Sequence, residues 1–234
     1  MSQGASEGPF HDSLGYLPLK PIKEIGKGRV IYSPENPTDR VYLIVGGRVK
    51  VTTTAAEGYE TVARILRNEE LFGATVLVGG HSSEAAVVLD AAMLMSWTRD
   101  EIEAQIEREP RLGLALAQYF VRQCIALQER IEALALHNTP ERILLAFAQL
   151  ADLLGTPQPD GAMRIASLTH QTIADYVGTS REIVTFQMNR IRELGLIQYS
   201  RRYIDVYSRA VAEALRHHGI DLPERPPAEP TDPG

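Results

Sequence analysis

The residues best suited to chemistry lie between Thr169 and Leu194, and their types favour hydrogen bonding to bases. At about 100° per residue, one helix face carries mostly polar side chains: Arg181, Glu182, Thr185, Phe186 and Asn189. Arginine pairs with guanine in the major groove, and glutamate accepts from the cytosine amino group. The opposite face is apolar and is expected to pack on a neighbouring helix: Ile183, Val184, Met188, Ile191 and Leu194. This pattern predicts a helix that presents polar groups to duplex DNA.

Two capped helices around a glycine are expected to position this face. Thr169 is a good N-cap for a first helix over residues 170–177, and Gly178 can supply the left-handed residue of the turn. Thr179 to Glu182 fits a capping box that opens the second helix, and Gly195 closes it after Leu194. The arrangement is that of a helix-turn-helix.

A predicted hairpin follows the second helix over residues 196–206, with Ser200, Arg201 and Arg202 at its tip. We interpret it as a wing that contacts the DNA backbone. The whole chain carries a formal charge of −6, but residues 164–209 hold seven arginines against four acids, which gives +3 there. A locally basic segment on an acidic chain is typical of a DNA reader with a separate regulatory domain.

The first half of the chain reads as short strands with glycine punctuation. Residues 41–45 and 48–54 flank Gly46-Gly47, which predicts a tight hairpin. Further strands are expected at residues 59–66, 84–89 and 92–97. Many short strands at this spacing predict a jelly roll or barrel.

Helical character begins near Thr98, where Thr98 to Glu101 fits a capping box, and resumes after Pro110 as far as Leu136. Steps of three and four relate one apolar stripe, which predicts a seam between two copies of the helix: Ala117, Phe120, Cys124, Leu127, Ile131 and Leu134. Cys124 is interpreted there as a small packed residue. Leu114, Val121 and Ile125 form a second stripe that could lie on the β-domain. A core helix of a monomer is the alternative reading.

Other classes of protein are excluded by what the chain lacks. A single cysteine cannot hold an iron-sulfur cluster or a structural zinc by itself. No uncharged apolar run reaches the length of a membrane span, and residues 1–8 have no export signal, so we expect a cytoplasmic protein. Five prolines after His217 predict a disordered tail.

Residues 168–184 resemble the DNA-binding signature of the CRP/FNR family of bacterial regulators. Residues 42–50 resemble that family's early hairpin, and residues 71–74 the start of its effector cassette. The resemblance implies an α+β protein with an N-terminal jelly-roll (β-roll) effector domain, a long dimerisation helix and a C-terminal winged helix-turn-helix. It also implies that Arg181 and Glu182 read base edges and that four polar side chains hold phosphates: Thr139, His170, Gln171 and Ser180. Duplex DNA, a second copy of the chain and RNA polymerase are the implied partners.

The expected domains follow from this resemblance together with the changes of pattern. Their ranges are an N-terminal extension at 1–20, a cyclic-nucleotide-binding-like roll at 21–109, the dimerisation helix at 110–137, the DNA-binding domain at 138–216 and the tail at 217–234. The effector pocket would involve seven residues of the roll and long helix: Phe72, Gly73, Ala74, Ser83, Glu84, Leu127 and Gln128.

Departures from the family pattern concern the effector. Members that bind cyclic AMP use Gly-Glu, Arg-Ser and Thr-Ser pairs, where this chain has Gly73-Ala74, Ser83-Glu84 and Leu127-Gln128. A cyclic phosphate would face a glutamate without an arginine, so we expect no useful affinity for cyclic AMP. The FNR-type cysteine cluster is missing, and His81 alone in the roll does not provide a haem site. A haem or iron-sulfur cofactor is therefore not expected.

Phe186 departs from the family at a position that usually holds a second base-reading arginine. It could pack on a thymine methyl group or lie against Tyr199 in the wing. Fewer guanine contacts are expected in each half-site.

Three other functions stay open at this stage. A cupin-like enzyme would need clustered histidines and carboxylates, which none of the six histidines provides: His11, His81, His137, His170, His217 and His218. The chain is therefore not expected to be an enzyme. A sensor of a keto acid or another small anion is the second possibility, since residues 71–73 and 131–134 faintly resemble the nitrogen-control branch. A regulator controlled only by its abundance is the third.

Overall fold

The computed structural model describes residues 15–54, 60–79, 83–220 and 222, and the chain divides into two compact units, residues 1–135 and 136–234. Within the described ranges, no helix is both long enough and apolar enough to traverse a bilayer.

Short antiparallel strands build the first unit. Their bounds are β1 Lys23–Ile25, β2 Val30–Tyr32, β3 Arg40–Gly46, β4 Val49–Thr54, β5 Glu60–Leu66, β6 Leu71–Phe72, β7 Glu84–Val88 and β8 Ala92–Thr98. They form two four-stranded sheets with the orders β1-β8-β3-β6 and β2-β7-β4-β5. This antiparallel double sheet is the roll that the strand pattern predicted. We call it the roll below.

Successive side chains of β3 point to opposite faces of its sheet and pack in two different clusters. Ile44 and Tyr42 face the core between the sheets, while Val41 and Leu43 join a second cluster with the helices. In the core, Tyr32, Tyr42 and Phe72 form an aromatic stack with ring centroids 5.0 to 6.2 Å apart. Tyr32 and Phe72 are 2% and 0% exposed. Phe72 is thus a core residue, which corrects its expected place in an effector pocket.

The predicted hairpin at Gly46-Gly47 is wrong. β3 pairs with β8 and β6, whereas β4 pairs with β5 and β7, so the two strands lie in different sheets. Gly47 has φ +85°, and a Cβ there would overlap the carbonyl oxygen of Ala91. The glycine therefore lets the chain cross from one sheet to the other in close contact with the β7–β8 connection.

Two helices follow the roll, α1 over Arg99–Arg108 and α2 over Arg111–Leu136. The predicted capping box is confirmed, because Thr98 accepts from the Glu101 N–H while the Glu101 carboxylate accepts from the Thr98 N–H. The Trp97 indole N–H donates to the Pro18 carbonyl at 2.9 Å, and the ring is buried beside Ile102. The start of α1 is thus held against the roll.

Only one side of α2 packs on the roll, and it is not the predicted side. Leu112, Ala115 and Leu116 are buried there, and Phe120 is partly buried beside them. The stripe assigned to the β-domain is instead exposed: Leu114 63%, Val121 58% and Ile125 49%. At 100° per residue this stripe lies on the opposite side of the helix from Leu112 and Tyr119. The stripe therefore cannot face the roll when those two residues do. The other predicted seam residues are exposed: Ala117, Cys124, Leu127, Ile131 and Leu134.

Polar contacts also join α2 to the roll. The Tyr119 hydroxyl accepts from the Leu71 N–H at 2.9 Å and donates to the Leu71 carbonyl at 3.0 Å. Burial raises the pKa of Tyr119 to about 12, so its hydroxyl keeps the proton that it donates. Arg130 donates to the carbonyls of Ala63 and Val62 at 2.6 and 2.7 Å. The phase of α2 on the roll is therefore set by hydrogen bonds as well as by apolar packing.

The second unit combines helices with a small sheet. Its elements are α3 Thr139–Leu154, β9 Thr156–Pro157, β10 Met163–Ala166, α4 His170–Val177, α5 Arg181–Glu193, β11 Ile197–Tyr199, β12 Tyr203–Val206 and α6 Ser208–His217. The sheet has the order β11-β12-β10-β9, and α3 packs on β10, α4 and α6.

The unit extends further than the predicted start of the tail at His217. α6 ends at His217, Gly219 follows with φ +75°, and Ile220 is 7% exposed. The Ile220 N–H donates to the Leu215 carbonyl at 3.0 Å. The tail was predicted from the proline-rich composition after His217, and composition does not show that Ile220 is buried. Residue 221 and residues 223–234 lie outside the described part of the chain.

Candidate nucleic-acid interface

α4, Gly178 and α5 form the predicted helix-turn-helix. Thr169 caps α4 by accepting from the Thr172 N–H at 3.0 Å, as expected. Gly178 has φ +75°, and its N–H donates to the Ala174 carbonyl at 2.9 Å. Because this backbone conformation suits glycine, α4 ends there and the chain turns into α5.

The cap of α5 differs from the prediction by one residue. Ser180, not Thr179, is the N-cap, and its hydroxyl accepts from the Ile183 N–H at 3.3 Å. Glu182 then occupies the second helical position rather than the third, so the expected capping box does not form. At the other end, Gly195 adopts φ +73° and Leu196 donates to the Ile191 carbonyl. This closes the helix as predicted.

The buried face of α5 is narrower than the expected one. Val184, Met188 and Ile191 are buried, and Gln187 joins them at 8% exposure. Ile183 and Leu194 were assigned to this face but are 42% and 65% exposed. Both lie at its margins, where the 100° step carries them away from α4. The outward face therefore centres on Glu182, Phe186 and Asn189.

A groove of about 890 Å³ separates the helix-turn-helix from the β11–β12 hairpin. Six of the predicted DNA-contacting residues line it: Thr169, His170, Gln171, Arg181, Ser200 and Arg201. Two other lining residues are Tyr199 and Ser167. The fold thus gathers side chains from α4, α5 and the wing around one concave surface that carries cations and hydrogen-bonding groups.

His170 and Thr185 connect the two helices inside this surface. His170 Nδ1 lies 2.8 Å from the Thr185 hydroxyl, which donates to the Arg181 carbonyl at 2.8 Å. The pKa of His170 is lowered, first by burial and then by the charge of Arg181. The Thr185 side chain is therefore engaged within the protein, while the remaining ring nitrogen of His170 is available to a ligand.

Glu182 and Phe186 are exposed on the outward face of α5. The pKa of Glu182 is lowered by hydrogen bonds from its own N–H and from the Ser180 hydroxyl, so the carboxylate remains an acceptor at neutral pH. Phe186 is 65% exposed. Tyr199, considered as its packing partner, contacts His170 and Arg192 instead.

Two residues that organise this surface, Tyr199 and Arg142, were not predicted from the sequence. The Tyr199 hydroxyl donates to Asn189 Oδ1 at 2.9 Å and so joins the wing to α5. Arg142 donates to the Thr139 hydroxyl and to the Gly178 carbonyl, at 3.3 and 3.4 Å, and so joins the start of α3 to the turn. An aromatic residue facing one side of the hairpin was the available signal for Tyr199. The pairing of Arg142 had no local signal.

The wing is braced at its tip and at its base. Ser200 accepts from the N–H groups of Arg202 and Tyr203, at 3.1 and 3.3 Å, and Arg201 and Arg202 are exposed beside it. At the base, Arg164 makes two bonds of 2.6 and 2.7 Å to Asp205. The positive charge of Arg164 is therefore balanced by Asp205. The positive charge offered to DNA comes from residues nearer the tip.

Polar contacts of Gln171 are local. Its amide donates to Asp175 at 2.7 Å, one helical turn away. Gln171 also lines the groove.

The expected effector residues of the roll and long helix come from several elements. Gly73 has φ +74° and precedes a short 3-10 helix over Ala74–Val78. Ser83 is exposed and Glu84, which begins β7, is partly buried. Leu127 and Gln128 are both exposed on α2.

Cofactor ligands were not expected, and two of the histidines that were considered, His11 and His81, lie outside the described residues. Across the ranges that are described, no three histidine, cysteine or acidic side chains come together as a metal site.

Comparison with known proteins agrees with this architecture. A cyclic nucleotide-binding domain model matches residues 22–109, and a Crp-like helix-turn-helix domain model matches residues 141–211. The global nitrogen regulator of Synechococcus elongatus is 30% identical over 83% of this chain and 88% of its own length. A CRP-like cAMP-activated global transcriptional regulator of Mycobacterium tuberculosis is 29% identical over 71% of this chain and 74% of its own.

Among solved structures, a transcriptional regulator of the CRP/FNR family from Thermus thermophilus superposes with a TM-score of 0.68. The alignment covers 84% of this chain and 98% of that one at 23% identity, and it supports the fold. The roll, the long helix and the helix-turn-helix agree with these relatives. The chain therefore belongs to the CRP/FNR family of transcription regulators, and its Crp-like helix-turn-helix is the DNA-binding domain.

Proposed function

We propose that the chain binds an operator of two half-sites as a homodimer and that it does so without cyclic AMP. The observation that carries the dimer is the exposed apolar face of α2. Leu114, Val121 and Ile131 are 63%, 58% and 65% exposed, and they stand at the three-and-four spacing of a helical seam together with Ala117 and Cys124. A second copy of the same helix fits such a stripe, because each heptad position meets its own equivalent.

The dimer would place two copies of α5 against duplex DNA. In a helix-turn-helix dimer, the second helices enter successive major grooves roughly 34 Å apart. We assign base contacts to the outward side of α5, with the residues Arg181, Glu182, Thr185, Phe186 and Asn189. We assign the DNA backbone to the residues at helix starts and in the wing: Thr139, Thr169, His170, Gln171, Ser180, Ser200, Arg201 and Arg202. RNA polymerase is the proposed partner at promoters.

A charge argument supports independence from cyclic AMP. Burial raises the pKa of the Tyr32 hydroxyl, and the nearby charge of Glu84 raises it further, so a carboxylate lies close to this core tyrosine of the roll. Arg64 is also near but hydrogen bonds to Tyr119. A cyclic phosphate would therefore meet negative charge and an engaged arginine.

Oligomeric state tests the dimer. Light scattering of the purified protein should give twice the chain mass of 25.9 kDa. Val121→Glu should give monomers and weaken operator binding at least tenfold, since a buried unpaired charge is costly. Arg111→Ala, at the exposed start of the same helix, should leave both properties unchanged. A wild-type protein that stays monomeric at micromolar concentration would overturn the proposal.

Footprinting tests the operator, and calorimetry tests the effector. Selected duplexes should show two protected half-sites about one helical turn apart, and affinity should fall steeply with salt. Titration with cyclic AMP at micromolar concentration should give no saturable heat and should not change operator affinity. Saturable binding in that range would contradict the second part of the proposal.

A further inference from the structure

One hydrogen bond joins the wing to the outward face of α5. The Tyr199 hydroxyl donates to Asn189 Oδ1 at 2.9 Å. Asn189 lies two turns along α5 from Arg181 and shares a side with Glu182 and Phe186, opposite the buried Val184 and Met188. A wing residue therefore acts on a side chain that the helix offers to the groove.

Several contacts hold the Tyr199 ring in place. Its strand β11 pairs with β12, with Tyr199 opposite Ile204. The His170 ring meets it edge to face, with centroids 6.1 Å apart, and the Arg192 guanidinium lies 5.2 Å from its centroid. A cation over the ring withdraws electron density and favours the phenol as a donor rather than an acceptor. The hydroxyl is thus suited to the direction of donation seen here.

A free asparagine amide has two useful orientations. It can pair with adenine by accepting from the base amino group while donating to N7, or it can turn its NH₂ group toward a base that offers acceptors. When Tyr199 donates to Oδ1, that oxygen is directed to the wing, and the two N–H donors remain for another partner. The hydrogen bond therefore selects one orientation.

We propose that Tyr199 is a positioning residue for sequence readout and that the Asn189 NH₂ group recognises guanine, which offers two adjacent acceptors, O6 and N7, in the major groove. The inference rests on the proposed operator binding through α5. It assigns part of the base specificity to the wing, whose tip residues are otherwise expected to contact only phosphates.

Selection of bound duplexes from a random pool by the full-length protein tests this inference. The wild type should prefer a G·C pair over an A·T pair at one base pair of each half-site. Tyr199→Phe keeps the ring but removes the donor, so the preference at that base pair should fall about fivefold to tenfold, and adenine should become acceptable there. Asn189→Ala should lose the preference at the same base pair.

A matched control is available in the same hairpin. The Tyr203 ring stacks under Arg164 of β10, and Tyr203→Phe removes the hydroxyl of a wing tyrosine that packs on this other element. Its selected site should be that of the wild type. The Tyr203→Phe control should bind unselected duplex at low salt within about twofold of the wild type, and all variants should melt at similar temperatures, so a change in the selected base reports readout and not unfolding.

Three results would overturn the inference while leaving the proposed function intact. They are an unchanged site for Tyr199→Phe, an unchanged site for Asn189→Ala, and selection of an A·T pair by the wild type at the base pair that Asn189→Ala alters. Failure of the wild type to bind any duplex would instead contradict the proposed function itself.

Discussion

His170 Nδ1 lies 2.8 Å from the hydroxyl oxygen of Thr185, and this contact determines which ring nitrogen carries the proton. Thr185 has one hydroxyl proton and donates it to the Arg181 carbonyl at 2.8 Å. The contact with His170 must therefore use an Nδ1–H donor. In the neutral ring, Nε2 is left with a lone pair and cannot donate to a phosphate.

We expect DNA binding to take up a proton at His170. The pKa of His170 in the free protein is lowered by burial and then by Arg181, so the free ring is neutral at pH 7. A phosphate beside Nε2 favours the imidazolium and raises the pKa in the complex. Because the complex then holds more protons than the free protein, affinity should rise as the pH falls from about 8 toward 6, by at most tenfold per pH unit, and level off once the free ring is protonated.

Fluorescence anisotropy at constant ionic strength measures this slope. His170→Gln should remove most of it, since glutamine does not titrate. Equal slopes for the two proteins would show that His170 takes no proton from solution on binding.

Phe186 should set a second feature of the half-site. Its ring is 65% exposed on the outward face of α5, where it can cover a thymine methyl group. Phe186→Arg should introduce a guanine preference at one base pair of each selected half-site, because arginine binds guanine O6 and N7 together. Phe186→Leu is the control with an apolar side chain and should keep the wild-type preference. A selected site without the added guanine in the arginine variant would place Phe186 away from the bases.

Asp205→Asn should destabilise the second unit by about 1–3 kcal/mol, because the buried carboxylate accepts two bonds from Arg164 and asparagine can accept only one. Urea denaturation followed by circular dichroism measures the change. Asp175→Asn alters an exposed contact with Gln171 and should shift the free energy of unfolding by less than about 0.5 kcal/mol. Equal effects of the two variants would mean that the Arg164 pair contributes little.

Gly47→Ala should destabilise the roll by at least about 2 kcal/mol, since it combines a positive φ with an overlap on the Ala91 carbonyl. Gly28 has φ +76° with open space around it, so Gly28→Ala reports the backbone conformation alone and should cost about 1 kcal/mol. Thermal unfolding of the two variants separates the contributions. A smaller loss at Gly47 than at Gly28 would contradict the close crossing of the sheets.

Local signals in the sequence were sufficient for the helix-turn-helix. Thr169, Gly178 and Gly195 each act within a few residues of their own position, and all three have the predicted role. The one-residue error at Ser180 has the same local origin, since two adjacent hydroxyl residues can both cap a helix.

Non-local pairing accounts for the larger errors. Gly46-Gly47 has the composition of a hairpin turn, but β3 pairs with β8, far along the chain, and β4 pairs with β5 and β7 in the other sheet. On α2, the two candidate stripes lie side by side around the helix, so spacing alone cannot tell which positions face the roll. The bond between Tyr199 and Asn189 joins separate elements and leaves no periodic trace in the sequence.

The aromatic stack of Tyr32, Tyr42 and Phe72 bears on how a small molecule could ever regulate this chain. The middle of the roll is already occupied by rings, two of them with almost no contact with solvent. An effector that leaves these rings in place would bind outside the stack, for example beside β6 and the helix that Tyr119 and Arg130 hold against the roll. A molecule bound there would contact α2, the helix that we propose as the dimer interface, so sensing and pairing would share the same few contacts.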